Sequence, residues 1–305
     1  MTARRSDFVI EHDVVERSLV APIDGPRSLR LRFGTAAVDV RGLDTPRHAT
    51  ATRRFAALLA DVQAAVVVDV VNAVDRFRRI DTRGWENTFA LEHDEDHVVV
   101  VGRDFCSRIV LDRKTYAPLS AKIACTKHDD DFISPLENTL RVIAAYRCLS
   151  NGGALFHSAS IVDDGAVRIC FGASGIGKST MARNWLERGR VVLGDELCAV
   201  EFDGDSGAFF VEQLPFAGDL QVAPQPAARF RLGALHRLAQ GPLRLEPLPQ
   251  AHAIAALASC APFVNIDRIR APILLDNLAA LVRAHPPTRL TLGIDDDPRA
   301  LSEAA

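Results

Sequence analysis

The sequence predicts an α/β fold: a domain on a mixed sheet fed by a β-hairpin, preceded by a smaller α+β N-terminal domain. Three observations carry this. Gly172-Ala173-Ser174-Gly175-Ile176-Gly177-Lys178-Ser179-Thr180 fits G-x-x-x-x-G-K-[ST], a loop whose amides and lysine wrap nucleotide phosphates. It stands between a strand-like run at 167–171 and a helix-like run at 179–187. Before it, apolar runs at 154–162 and 166–171 flank an Asp163-Asp164-Gly165 turn signal. Residues 131–305 are therefore expected to form a P-loop nucleotide-binding domain, and residues 1–130 a separate domain of unassigned role. A length of 305 residues suits two domains.

The elements follow in order. Residues 29–33 and 37–40 alternate with period two across Gly34-Thr35 and read as a hairpin. Residues 53–62 place Phe55, Leu58 and Leu59 on one helical face. Runs at 65–71, 98–101 and 107–112 read as strands. His93 and His97 flank Asp94-Glu95-Asp96, which reads as a solvated loop because metal ligands must converge and not merely adjoin. Ser134-Pro135-Leu136-Glu137 has the form of a capping box, Leu136, Leu140, Ile143 and Ala144 form a buried stripe, and Asn151-Gly152-Gly153 ends the helix. Strands are expected at 191–194, 197–202, 208–213 and 288–294, and helices at 251–260 and 273–284. Residues 215–226 read as a loop, and Asp295-Asp296-Asp297-Pro298 as the entry to a short last helix.

Composition narrows the function classes. Hydrophobic residues make up 48% and charged residues 25%, the balance of an ordinary soluble globular protein. A net charge of −3 offers no basic excess for a nucleic-acid backbone. No run reaches the roughly 18 apolar residues of a membrane span, and no apolar segment follows Arg4-Arg5 to make a secretory leader. The six cysteines form no C-x-x-C pair and read as buried thiols in a reducing compartment, so zinc is not expected and a cytoplasmic location is.

Three glycines let the loop amides turn inward, Lys178 can reach the β- and γ-phosphates, and the Ser179 hydroxyl can face Mg²⁺. Phosphoryl transfer also needs a carboxylate for the metal and a group that orients the acceptor. Asp195-Glu196 ends the apolar strand directly after the loop helix and supplies both; acids this early suit a kinase. His157 lies in the first hairpin arm, where a lone histidine reads as a hydrogen-bonded core residue or a catalyst, the former being commoner. Arg229, Arg231 and Arg237 could add positive charge but read as an exposed face.

Leu155-Phe156-His157-Ser158-Ala159, the Asp-Gly turn, the 172–180 loop and 191–196 together resemble the catalytic domain of HPr kinase/phosphorylase and its relatives, a group similar in fold to phosphoenolpyruvate carboxykinase. The match is clear over about 150–203. The resemblance implies that His157 is the histidine of the strand before the loop, and that Asp195 is the first carboxylate of an Asp-Asp pair that deprotonates or orients the acceptor serine. Glu196 stands at the second. Ala173 and Thr180 replace an Asp and a Glu of the family's loop, and the later glycine-rich signature is missing. Those departures point away from the phosphorylase reaction and from HPr as substrate, and toward related kinases of bacterial gene clusters.

The expectation is an ATP- and Mg²⁺-dependent kinase acting on a hydroxyl, a serine of a protein or peptide, with Asp195, Lys178 and His157 catalytic and Ser179, Glu196 and Asp195 around the metal. The resemblance also implies homo-oligomers, although no stretch marks an interface. The alternatives are a small-molecule kinase and a non-catalytic ATP-binding regulatory or interaction module.

Overall fold

The computed structural model describes residues 12–23, 25–33, 36–73, 89–102, 105–126, 132–216, 218–220, 222, 229–293 and 296. It is a mixed α/β architecture with two mixed sheets. The chain divides into two compact units, Met1–Arg147 and Cys148–Ala305. The division falls inside one helix, α3 (Ile133–Ser150), a little after the 130/131 boundary expected from sequence.

The first unit contains α1 (His12–Leu19), β1 (Arg27–Phe33), β2 (Ala36–Leu43), α2 (Thr45–Arg54), β3 (Val66–Asn72), β4 (Phe89–His93), β5 (His97–Gly102), β6 (Phe105–Leu111) and β7 (Pro118–Cys125). The strands form one sheet in the order β1-β2-β3-β7-β6-β5-β4. β2, β3 and β7 run parallel and the remaining neighbours antiparallel. Val38, Val40, Val68 and Val70 are fully buried, as β-branched residues on a covered pleated face should be.

Two helical expectations are corrected here. The helix placed at 53–62 lies earlier, at 45–54, because Asp44 caps it by accepting from the Arg47 amide at 2.8 Å and a proline occupies its first turn. Only a 3-10 turn, Ala56–Leu58, follows. Ser134 is not the N-cap of α3: the helix begins at Ile133, the Leu136 amide bonds to the Phe132 carbonyl, and Glu137 pairs with Arg54 at 2.6 Å. The stripe Leu136, Leu140, Ile143 and Ala144 is buried. The strands β4 and β7 and the helix α1 had no counterpart in the sequence reading.

The second unit holds β8 (Ala154–Asp163), β9 (Ala166–Phe171), α4 (Lys178–Glu187), β10 (Val191–Gly194), β11 (Leu197–Asp203), β12 (Ala208–Gln213), β13 (Arg229–Gln240), β14 (Arg244–Pro247), α5 (Gln250–Ser259), α6 (Ala271–Ala284) and β15 (Thr288–Leu292). β8 and β9 form the expected hairpin; Asp164 and Gly165 both take positive φ, 48° and 77°, as a two-residue hairpin turn of the primed type requires. β8 pairs with β9 on one edge and with β10 and β11 on the other, while β13 pairs with β12 and β15 on one edge and with β9 on the other. The ladder therefore closes a ring through β8, β11, β12, β13 and β9. β13 and β14 were absent from the sequence reading.

α4 packs Met181, Ala182 and Trp185 against Ala159 and Ile161 of β8, Cys170 of β9, Val192, Leu238 and Leu290. Burying a side chain of the size of Met or Trp contributes on the order of 2 kcal/mol or more, so the start of α4 is fixed by its apolar face. The expected last helix at 295–298 falls outside the described residues except for Asp296, whose carboxylate accepts from the Gly293 amide at 2.6 Å. All six cysteines are buried free thiols. Among the described residues no helix is long and apolar enough to cross a membrane.

Candidate functional site

β9 ends at Phe171 and α4 begins at Lys178, so residues 172–177 are a strand-to-helix loop. Gly175 and Gly177 have φ of 76° and 108°, and a Cβ on either would meet nothing, so torsion and not room selects glycine there. Gly177 caps α4 without a side-chain hydrogen bond. The first-turn amides of any helix lack intrahelical partners, and here they add to the positive end of the α4 dipole. Such an end, opening from a glycine loop, suits an anion.

The loop is tied from within and from beside. The Ile176 amide bonds to the Ala173 carbonyl at 3.3 Å, and Gln240 Nε2 donates to the Ile176 carbonyl at 3.3 Å. Lys178 is buried, with Nζ donating to the Gly172 carbonyl at 3.0 Å and the Ala173 carbonyl at 3.2 Å. An ammonium has three donors, so this arrangement leaves one for another acceptor. Burial lowers the Lys178 pKa from its ordinary value, with nearby Cys260 acting the other way. Ser174, Ala173, Gly175 and Thr180 are exposed, and Ile176, Gly177 and Ser179 partly so.

The acidic pair arrives across the β8 ladder. Gly194 pairs with Ser160 and Leu197 with His157, and the Glu196 carbonyl accepts from the Ser158 amide at 3.1 Å. Asp195 and Glu196 form a bend between the Gly194–Ser160 and Leu197–His157 pairs, across from Ala159 and Ser158. His157 is exposed on β8 and so is not a core histidine; partial desolvation and then the Lys178 charge lower its pKa from 6.5, while a hydrogen bond to the Glu196 backbone and then the Asp195 charge oppose them. His157 therefore lies within electrostatic reach of both Lys178 and Asp195.

Asp195 is 4% exposed, yet its Oδ2 has no hydrogen-bond partner, and among the described residues no ion pair holds it. A buried carboxylate oxygen without a partner is costly, and such groups are commonly reserved for a ligand. Glu196 is half-buried beside it. Two carboxylates and one hydroxyl are too few for an all-protein metal cage, and among the described residues no group of three or more His, Cys, Asp and Glu could hold an ion. They do fit Mg²⁺, which keeps waters and substrate oxygens and takes one or two carboxylates from protein.

Three further groups border the loop without any motif to announce them. The end of α5 lies beneath it: the Cys260 carbonyl accepts from the His157 amide at 2.7 Å, and Cys260 Sγ donates to the Gly172 carbonyl at 3.7 Å. Gly218 and the Leu220 amide touch Asp195. Arg237 sits opposite Phe171 in the parallel β9–β13 pairing, one residue before the loop. Arg229 is committed elsewhere, stacked 4.1 Å from the Phe210 ring and paired with Asp203 at 3.2 Å, and Arg231 is exposed opposite Ala166. In the first unit, His97 pairs with Asp96 at 2.9 Å.

No family model matches the chain, and no curated protein matches its sequence at a significant level. Among solved structures, the HPr(Ser) kinase/phosphatase of Coxiella burnetii is similar at 11% identity and a TM-score of 0.27, over 49% of this chain and 91% of that one. This is a weak structural relationship, and it carries no weight for what the chain does.

Proposed function

We propose that the chain is an ATP- and Mg²⁺-dependent kinase that transfers the γ-phosphoryl group to a serine hydroxyl of a protein or peptide. The observation that supports it most is the buried, unpartnered Oδ2 of Asp195, which acts on His157 together with Lys178 of the glycine loop. The loop amides and the start of α4 would cradle the phosphates, and Lys178 would exchange its loop carbonyls for phosphate oxygens. Ser179 and Glu196, with Asp195, would hold Mg²⁺, which when bound offsets charge on the transferring group. Asp195 Oδ2 would accept the serine proton as the new O–P bond forms and the bond to the leaving ADP oxygen breaks. His157 would hydrogen-bond the acceptor or a phosphate oxygen.

Incubation with γ-labelled ATP and a library of serine-bearing peptides tests this. Label on serine that needs Mg²⁺ and is lost when Lys178→Ala is used supports the reading. Mg²⁺-dependent nucleotide binding with no label on any peptide or protein acceptor would replace it with a nucleotide-binding module.

A further inference from the structure

We propose that Gly218 and the Leu220 amide are positioning groups that fix the Asp195 carboxylate so that Oδ2 alone is presented to the reacting centre, an inference that rests on the kinase reading. The two oxygens of Asp195 are treated differently. Oδ1 accepts from the Leu220 amide at 3.4 Å, while Oδ2 is buried with no partner. A hydrogen bond that long is weak, so it cannot hold the carboxylate alone.

The backbone of Gly218 supplies the rest. A Cβ built there would lie 2.1 Å from Asp195 Oδ1, 2.8 Å from its Cγ and 3.1 Å from Glu196 Cβ. Gly218 is not among the glycines of positive φ, so what requires glycine is room against the carboxylate, the reverse of Gly175 and Gly177. The segment is itself anchored, because Leu220 and Val222 pack against the core formed by α4, β8 and β9. One oxygen is thus walled by a Cα hydrogen and an amide, and the side chain has little freedom to rotate the other away. The same Cβ would also crowd the Cβ of Glu196.

Gly218→Ala tests the assignment through metal affinity and kinetics together. Mn²⁺ binding, followed by electron paramagnetic resonance in the presence of a non-hydrolysable ATP analogue, should weaken by about tenfold or more, the usual effect of disturbing a group that orients a ligand. The turnover number should fall about 10- to 100-fold on the same grounds, while KM for ATP stays within a few-fold because the 172–177 loop is untouched. Leu220→Pro removes the donor without adding a Cβ at 218, should show the same split at smaller size, and decides the matter if Gly218→Ala does not fold. Mn²⁺ affinity and turnover equal to wild type in folded Gly218→Ala, or in Leu220→Pro where only that folds, would overturn the positioning role. A wild type that binds Mn²⁺ and nucleotide but labels no acceptor would instead remove the kinase reading and leave the Mn²⁺ comparison to judge the positioning.

Discussion

Two aspartates, one ending β8 and one across from it, are handled in opposite ways. Asp163, at the hairpin end, takes Arg168 Nε at 2.8 Å on Oδ2 and Arg190 Nη1 at 2.5 Å on Oδ1. Asp195, opposite the middle of the same strand, has a weak amide contact on one oxygen and nothing on the other. The Asp163 side chain is 8% exposed within a partly buried residue, and Asp195 is buried. What separates the two is the completeness of their partners. A carboxylate neutralised twice ties β8, β9 and the segment after α4 together, with a cation already on each oxygen. One left half-satisfied costs stability that only a ligand can return.

Substitutions at the two positions should part company. Asp195→Asn should lower phosphoryl transfer on the order of a thousandfold, the effect of removing a catalytic proton acceptor, read by single-turnover labelling. Asp163→Ala should leave the transfer rate of the folded protein near wild type but lower unfolding stability by about 3 kcal/mol. That is the low end for a broken buried pair, because the arginines keep some solvent contact. Equal losses of transfer at both positions would erase the distinction.

A smaller effect comes from the far side of Asp163. His236 is buried, holds Thr288 Oγ1 at 2.8 Å through Nδ1, and lines a small cavity with Arg168, Arg190, Trp185 and Leu290. Burial, and then the Arg168 charge, push its pKa from 6.5 down to about 4. Between those values the unfolded chain binds the proton and the folded chain does not, so stability is full above pH 6.5 and is lost as pH falls toward 4. Thermal or urea unfolding should lose about 2 kcal/mol from this group between pH 6.5 and 5, and His236→Gln should flatten that slope. An unchanged slope would show that other groups set the acid limit.

The parts of this molecule written in local pattern were legible. The hairpin at Asp164-Gly165, the glycine loop and α4 are each specified by residues within a few positions of one another. Elsewhere local pattern misled. The helix at Thr45–Arg54 has few apolar residues and is marked by its Asp44 cap rather than by a stripe, which is why the more apolar 53–62 looked like the better helix. β13 alternates, but arginines occupy exposed positions and Gly233 lies at a register shift, so the strand reads as polar loop. At the candidate site, the loop pattern points to Lys178 and a strand end to Asp195, whereas His157 lies inside β8 and is singled out by the family resemblance. Gly218 could not: its need for room is set by a carboxylate on another strand. Nor could Cys260, which meets the loop through a backbone carbonyl that any residue carries.

The most direct test measures unfolding stability and label transfer on the same preparation of Asp195→Asn. An acid kept unpaired for a ligand should be dispensable to the fold, so the variant should be at least as stable as wild type in the absence of nucleotide while transfer falls on the order of a thousandfold. A variant that loses about 3 kcal/mol of stability and keeps its transfer rate would make Asp195 a second structural acid like Asp163, and would contradict its assignment to the reacting centre.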